Sequence, residues 1–83
     1  MQIQWSLLKS ERLKRTRGVS FEEIVQAKLV GVLKHPTKAH QALLLFEYKH
    51  YIWVLPFVED GTRRFLKTLF PSRKYTKLFL KEQ

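Results

Sequence analysis

From residue 4 to residue 17 the chain is rich in Leu, Lys, Arg and Glu, carries no Pro or Gly, and meets Gly18. A Gly at that point is a common helix stop, so a first helix is expected over 4–17. Trp5, Leu8 and Leu13 can share a loose apolar face there, with Lys9, Arg12, Lys14, Arg15 and Arg17 crowding the remainder. Ser20-Phe21-Glu22-Glu23 has the spacing of a capping box, in which the Ser20 hydroxyl accepts from the Glu23 amide and the Glu23 carboxylate returns the bond. A second helix is expected to open there. Phe21, Ile24, Val25 and Leu29 continue it as one apolar stripe, and Gly31 ends it.

After Gly31 the period shortens. Val32 and Leu33 open a short strand, and 36–41 is a polar connection. The stretches 42–49, 51–59 and 63–70 are rich in β-branched and aromatic residues and read as strands. Lys49-His50 and Asp60-Gly61-Thr62 fall where tight turns belong, the second carrying an Asp-Gly hairpin signal. Pro71-Ser72 breaks the sheet. Tyr75, Leu78 and Phe79 then recur at helical spacing behind a Ser72 cap, which predicts a third helix over 73–81. The expected architecture is α+β: two helices, an antiparallel meander of three or four strands, and a closing helix, all in one domain over 1–83.

Composition narrows the chemistry. The 83 residues include 45% hydrophobic and 13% aromatic positions, enough to form a core, and no cysteine that could staple it or bind metal as thiolate. The opening Met-Gln-Ile-Gln-Trp lacks a signal-peptide layout and no apolar stretch is long enough to span a bilayer, so a cytoplasmic location without membrane association is expected. Sixteen Lys and Arg against seven Asp and Glu give a formal charge of +9, a field that attracts polyanions. Nucleic acid is the first candidate; an acidic protein or an anionic membrane would satisfy the same field. Glycine-rich phosphate loops, carboxylate or His clusters at metal spacing and Ser-His-Asp sets are missing from the sequence, which excludes those hydrolases and calls for no cofactor.

Several strings resemble a known family. Trp5 and Lys9, followed by Arg17-Gly18-Val19-Ser20-Phe21-Glu22-Glu23, are similar to the opening of BrnT-type toxins, which reads tryptophan, lysine, then Lys-His-Gly-Val-Ser-Phe-Glu-Glu at the same spacing. Pro56-Phe57-Val58-Glu59-Asp60, Phe65-Leu66-Lys67-Thr68 and Pro71-Ser72-Arg73-Lys74-x-Thr76 resemble that family's strand endings and its Ser-Ala-Arg-Arg-x-Thr segment. Arg17 stands where the family often has His, and Lys74 where it has a second Arg. The resemblance covers most of the chain in order. It implies a RelE-like fold, metal-independent RNA cleavage, and neutralisation within a hetero-oligomer by an acidic, DNA-binding antitoxin of ribbon-helix-helix or similar type.

Metal-free RNA cleavage needs a base for the 2′-hydroxyl proton, an acid for the leaving 5′-oxygen, and cations for the charge on phosphorus. His35, His40 and His50 have no spacing that forces them together. Arg73 and Lys74 open the third helix, where the macrodipole disfavours cations by up to about 1 kcal/mol each. That broken local rule marks a candidate phosphate site, unless Glu59 or Asp60 lies alongside and neutralises them. Lys67 interrupts the alternation of Phe65 and Leu69, either reaching over a cleft or guarding a sheet edge. Tyr75 is a proton donor if it follows the family mechanism, and a core residue by its helical period. Tyr48, Tyr51 and Trp53 are stacking platforms or core in the same way. RNA is expected along the first helix at Lys9, Arg12, Lys14, Arg15 and Arg17, and at the sheet edge through Arg63 and Arg64. The alternative is a non-catalytic module that binds nucleic acid or an antitoxin.

Overall fold

A computed structural model describes residues 2–80. Its elements run β1 (Gln2–Gln4), α1 (Leu7–Arg17), α2 (Phe21–Ile24), β2 (Lys28–Lys34), β3 (Gln41–Tyr48), β4 (Tyr51–Asp60), β5 (Arg63–Leu66), β6 (Phe70–Pro71) and α3 (Arg73–Phe79). The expected meander is present as β2, β3, β4 and β5, each antiparallel to the next. Two short strands extend it. β1 pairs with β5 in parallel, and β6 pairs with β4 beyond the end of β5.

The N-terminal helix is shorter than its composition predicts, because Ser6 caps it and accepts from the Lys9 amide. Trp5 therefore stands before the helix, its indole tilted against Phe21 at 6.0 Å between ring centroids. Leu8 does not join Trp5 and Leu13 on an inward face: it is 76% exposed, and α1 buries only Ser10 and Leu13. The helix ends as expected, at Gly18 with φ +80, where its amide returns to the Lys14 carbonyl.

The second helix is a single turn. Its capping box forms, and burying Phe21 and Ile24 stabilises it by about 1.5–3 kcal/mol per side chain, more than so short a helix has on its own. It cannot continue through Lys28-Leu29-Val30-Gly31-Val32, where β-branching and a glycine favour the strand that pairs with β3. Leu29, read from the sequence as part of the helical stripe, is a half-exposed strand residue.

Strand alternation sorts the core into two layers. Leu44, Phe46, Leu55, Phe57 and Leu66 point to the side covered by α1 and α2, where they meet Leu13, Val19, Phe21, Ile24 and Leu69. Leu43, Leu45, Ile52 and Val54 point to the other side and meet Phe70, Tyr75 and Leu80 at α3. The sheet thus separates the N-terminal helices from the C-terminal helix. Tyr48 and Trp53 pack against the first layer, in keeping with a core role. Lys49 and His50 form the two-residue β3–β4 turn with φ of 53 and 66, left-handed values usually taken by Asn and Gly. No described helix is long and apolar enough to cross a membrane.

Candidate active site

The segment from Ser72 to Thr76 divides into anchors and exposed cations. The Ser72 amide donates to the Ile52 carbonyl at 2.9 Å, and its hydroxyl accepts from the Tyr75 amide. Thr76 Oγ1 accepts from the Ile52 amide at 2.9 Å and donates to the Ser72 carbonyl at 2.6 Å. Ser72 and Thr76 therefore bind α3 to the start of β4. Tyr75 packs its ring on the α3-side core, half-buried, with Phe79 tilted against it. Arg73 and Lys74 are left exposed between these anchors, the Lys74 ammonium 5.4 Å from the Tyr75 ring centre.

The neutralising carboxylates allowed by the sequence lie elsewhere. Glu59 is seven positions beyond Ile52 on β4, a backbone separation of roughly 23 Å, and it bonds Arg64 Nε at 3.1 Å. Asp60 follows it at the strand end. Among the described residues, neither Arg73 nor Lys74 makes an ion pair.

Lys67 is exposed just past β5, where its amide continues the ladder to the Pro56 carbonyl. It alternates with buried Leu66 and so falls on the same side as Phe65, the side covered by α3. Leu69 does not share that face, because the strand has ended and Leu69 enters the opposite core layer. Arg63 registers with Asp60 and belongs to the α3 side as well. Between Pro56, paired with Lys67, and Ile52, which carries α3, lie four strand positions or about 13 Å. That span suits successive phosphates of one strand better than a single phosphate.

The cations of α1 sit across the sheet. Lys14 bridges Glu23 at 2.9 Å, and Arg17 donates to the Leu69 carbonyl at 2.8 Å. Arg64 is held by Glu59 and lies 5.2 Å over the Phe57 ring. These three have structural partners, whereas Lys9, Arg12 and Arg15 make no ion pair among the described residues. The conspicuous carboxylates of α2 are structural too. Glu22 accepts from the buried Ser10 hydroxyl and from Trp5 Nε1, which together hold its carboxyl below the ordinary carboxylate range. Lys14, with the Ser20 amide, draws Glu23 down to about 2.

Two features escaped the sequence. His50 tips the β3–β4 hairpin, two residues from the Ile52 anchor of α3, so it stands at the same end of the sheet as Arg73. His35 and His40 share a cleft of about 440 Å³ at the other end, lined also by Lys34, Lys38 and Glu59. The only sequence signal for either was that both histidine groups flank turns. No group of three or more His, Asp or Glu side chains is placed to hold a metal among the described residues.

No family model matches the sequence, and no curated protein matches it. A solved structure does resemble this one: the ribonuclease toxin BrnT of Brucella abortus superposes with a TM-score of 0.58, over 87% of this chain and 96% of the other. The chain has the BrnT fold. Sequence identity to BrnT is 22%, so the likeness is one of backbone architecture. It joins the sequence resemblance to the three-dimensional order of elements, with BrnT matched along nearly its whole length.

Proposed function

We propose that this protein is a ribonuclease toxin that cleaves RNA without a metal and is held inactive by an acidic, DNA-binding antitoxin. The observation that carries this reading is the Ser72–Thr76 segment: its Ser and Thr anchor the helix, and its Arg73 and Lys74 stand exposed with no carboxylate partner among the described residues, on a fold shared with a ribonuclease toxin. RNA lies across the α3 side of the sheet, reaching Lys67 and Arg63, with the cations of α1 as a second basic surface.

In this mechanism His50 takes the 2′-hydroxyl proton, the 2′-oxygen bonds to phosphorus, and the bond to the 5′-oxygen breaks. Arg73 and Lys74 stabilise the charge that grows on the phosphoryl oxygens. Tyr75 returns a proton to the leaving 5′-oxygen. The products are a 2′,3′-cyclic phosphate and a free 5′-hydroxyl. His50 suits the role by position and by its strained backbone, a kind of strain that concentrates at functional sites.

The test is an RNA time course with purified protein in excess EDTA. Cleavage leaving cyclic phosphate ends, with growth arrest on induction that the neighbouring gene relieves, is the expected result. Intact RNA under every condition leaves the non-catalytic alternative, a module that only binds nucleic acid or antitoxin.

A further inference from the structure

The cleft at the β2–β3 connection is built from a local backbone device. The His35 amide donates to the Gln41 carbonyl at 3.1 Å, and the Gln41 amide to the Lys38 carbonyl at 3.2 Å, which closes the connection into a compact loop. His35 Nδ1 accepts from the amides of Thr37 and Lys38, both at 3.2 Å. With Nδ1 occupied as an acceptor, the neutral ring carries its proton on Nε2 and offers it as a donor. Lys34, Lys38 and His40 join His35 in the lining, with Ala39 and Ala42 as small apolar wall. The single carboxylate, Glu59, is already engaged by Arg64, so the cleft carries excess positive charge.

The volume of about 440 Å³ is far more than one phosphate group fills and falls within the range of small-molecule sites. Cations for a phosphate, small apolar wall for a sugar, and an imidazole able to stack on a base form a combined demand that a nucleotide meets. The geometry points to a nucleotide-phosphate site in this cleft, with Lys34, Lys38 and the His35 Nε2–H on the phosphate and His40 against the base. It lies at the opposite end of β4 from α3, so it does not share residues with the proposed cleavage site and stands independently of that proposal.

The phosphate has two possible sources, a free mononucleotide or one unit of an RNA strand. The full chain is titrated with AMP, with adenosine, and with a non-cleavable 2′-O-methyl RNA decamer, following the imidazole proton resonances of His35 and His40. AMP, the decamer or both are expected to move these resonances, and adenosine is not. Binding of AMP alone assigns the site to a free nucleotide; binding of the decamer alone assigns it to the RNA strand. The double variant Lys34→Gln/Lys38→Gln should weaken the binding at least tenfold with an unchanged melting curve, whereas Arg73→Ala should leave AMP binding intact. Resonances unmoved by either phosphate ligand, or moved equally by adenosine, overturn the site. RNA cleavage with unmoved resonances would defeat this inference and leave the proposed function standing; the reverse pattern would do the opposite.

Discussion

Arg73 is the residue on which the catalytic proposal rests most directly. Its neighbours Ser72 and Thr76 hold α3 in place through main-chain bonds at Ile52, so removing the guanidinium takes nothing from the anchor. Arg73→Ala should melt at the same temperature as the parent or slightly above it, since the cation opposes the helix dipole. Its cleavage rate should fall by roughly 10²–10³-fold, the scale of losing one group aimed at developing charge. Full activity in the folded variant would remove Arg73 from the mechanism, and a collapsed melting curve would make it structural. At this scale the sequence was informative about identity and silent about partners. The dipole conflict drew attention to Arg73 and Lys74, but nothing in the linear order could say that Glu59 would choose Arg64, or that Lys14 and Arg17 would be occupied. Those choices depend on which residues the sheet brings together.

Among the elements, those with local chemistry were legible: the Ser20 capping box, the Gly18 stop, the Ser72 cap and the two hairpins all form where their residues predict. Those decided by distant pairing were not. β1 is three residues long and exists through β5, and the second helix yields to β2 because β3 offers it a ladder. The β3–β4 turn gives a test at this scale. Lys49 and His50 hold left-handed backbone that suits neither, so Lys49→Asn/His50→Gly should stabilise the fold by about 1 kcal/mol and raise the melting temperature by roughly 4–8 °C. If His50 is the base, the same variant should lose cleavage, a trade of activity for stability. A variant that gains stability and keeps full activity would retire His50 and leave the base to be found elsewhere.

For the molecule as a whole, the sheet is a partition between two basic surfaces. The sequence could count the cations but could not assign them to sides, because sides exist only once strand register is set. Binding of a non-cleavable RNA should weaken with salt, each neutralised phosphate adding about 0.7 to the log–log slope for a single strand. Arg63→Gln/Lys67→Gln/Lys74→Gln should flatten that slope by up to about 2, and Lys9→Gln/Arg12→Gln/Arg15→Gln by less than about 1. The opposite order would move the RNA to the α1 side and Arg73 away from the scissile bond.

The parallel pair of β1 with β5 also has a consequence for the order in which the protein matures. Gln2 and its partner Arg63 are about sixty positions apart, and at roughly 5–20 residues per second a ribosome makes the second some three to twelve seconds after the first. All three β1 residues remain exposed, so little burial holds the strand against β5. β1 is thus expected to open ahead of the buried strands of the sheet. In native-state hydrogen exchange its amides should be traded for deuterium well before those of Leu44 and Leu55, whereas exchange of all of them at one common rate would mean that the strand opens only with the entire fold.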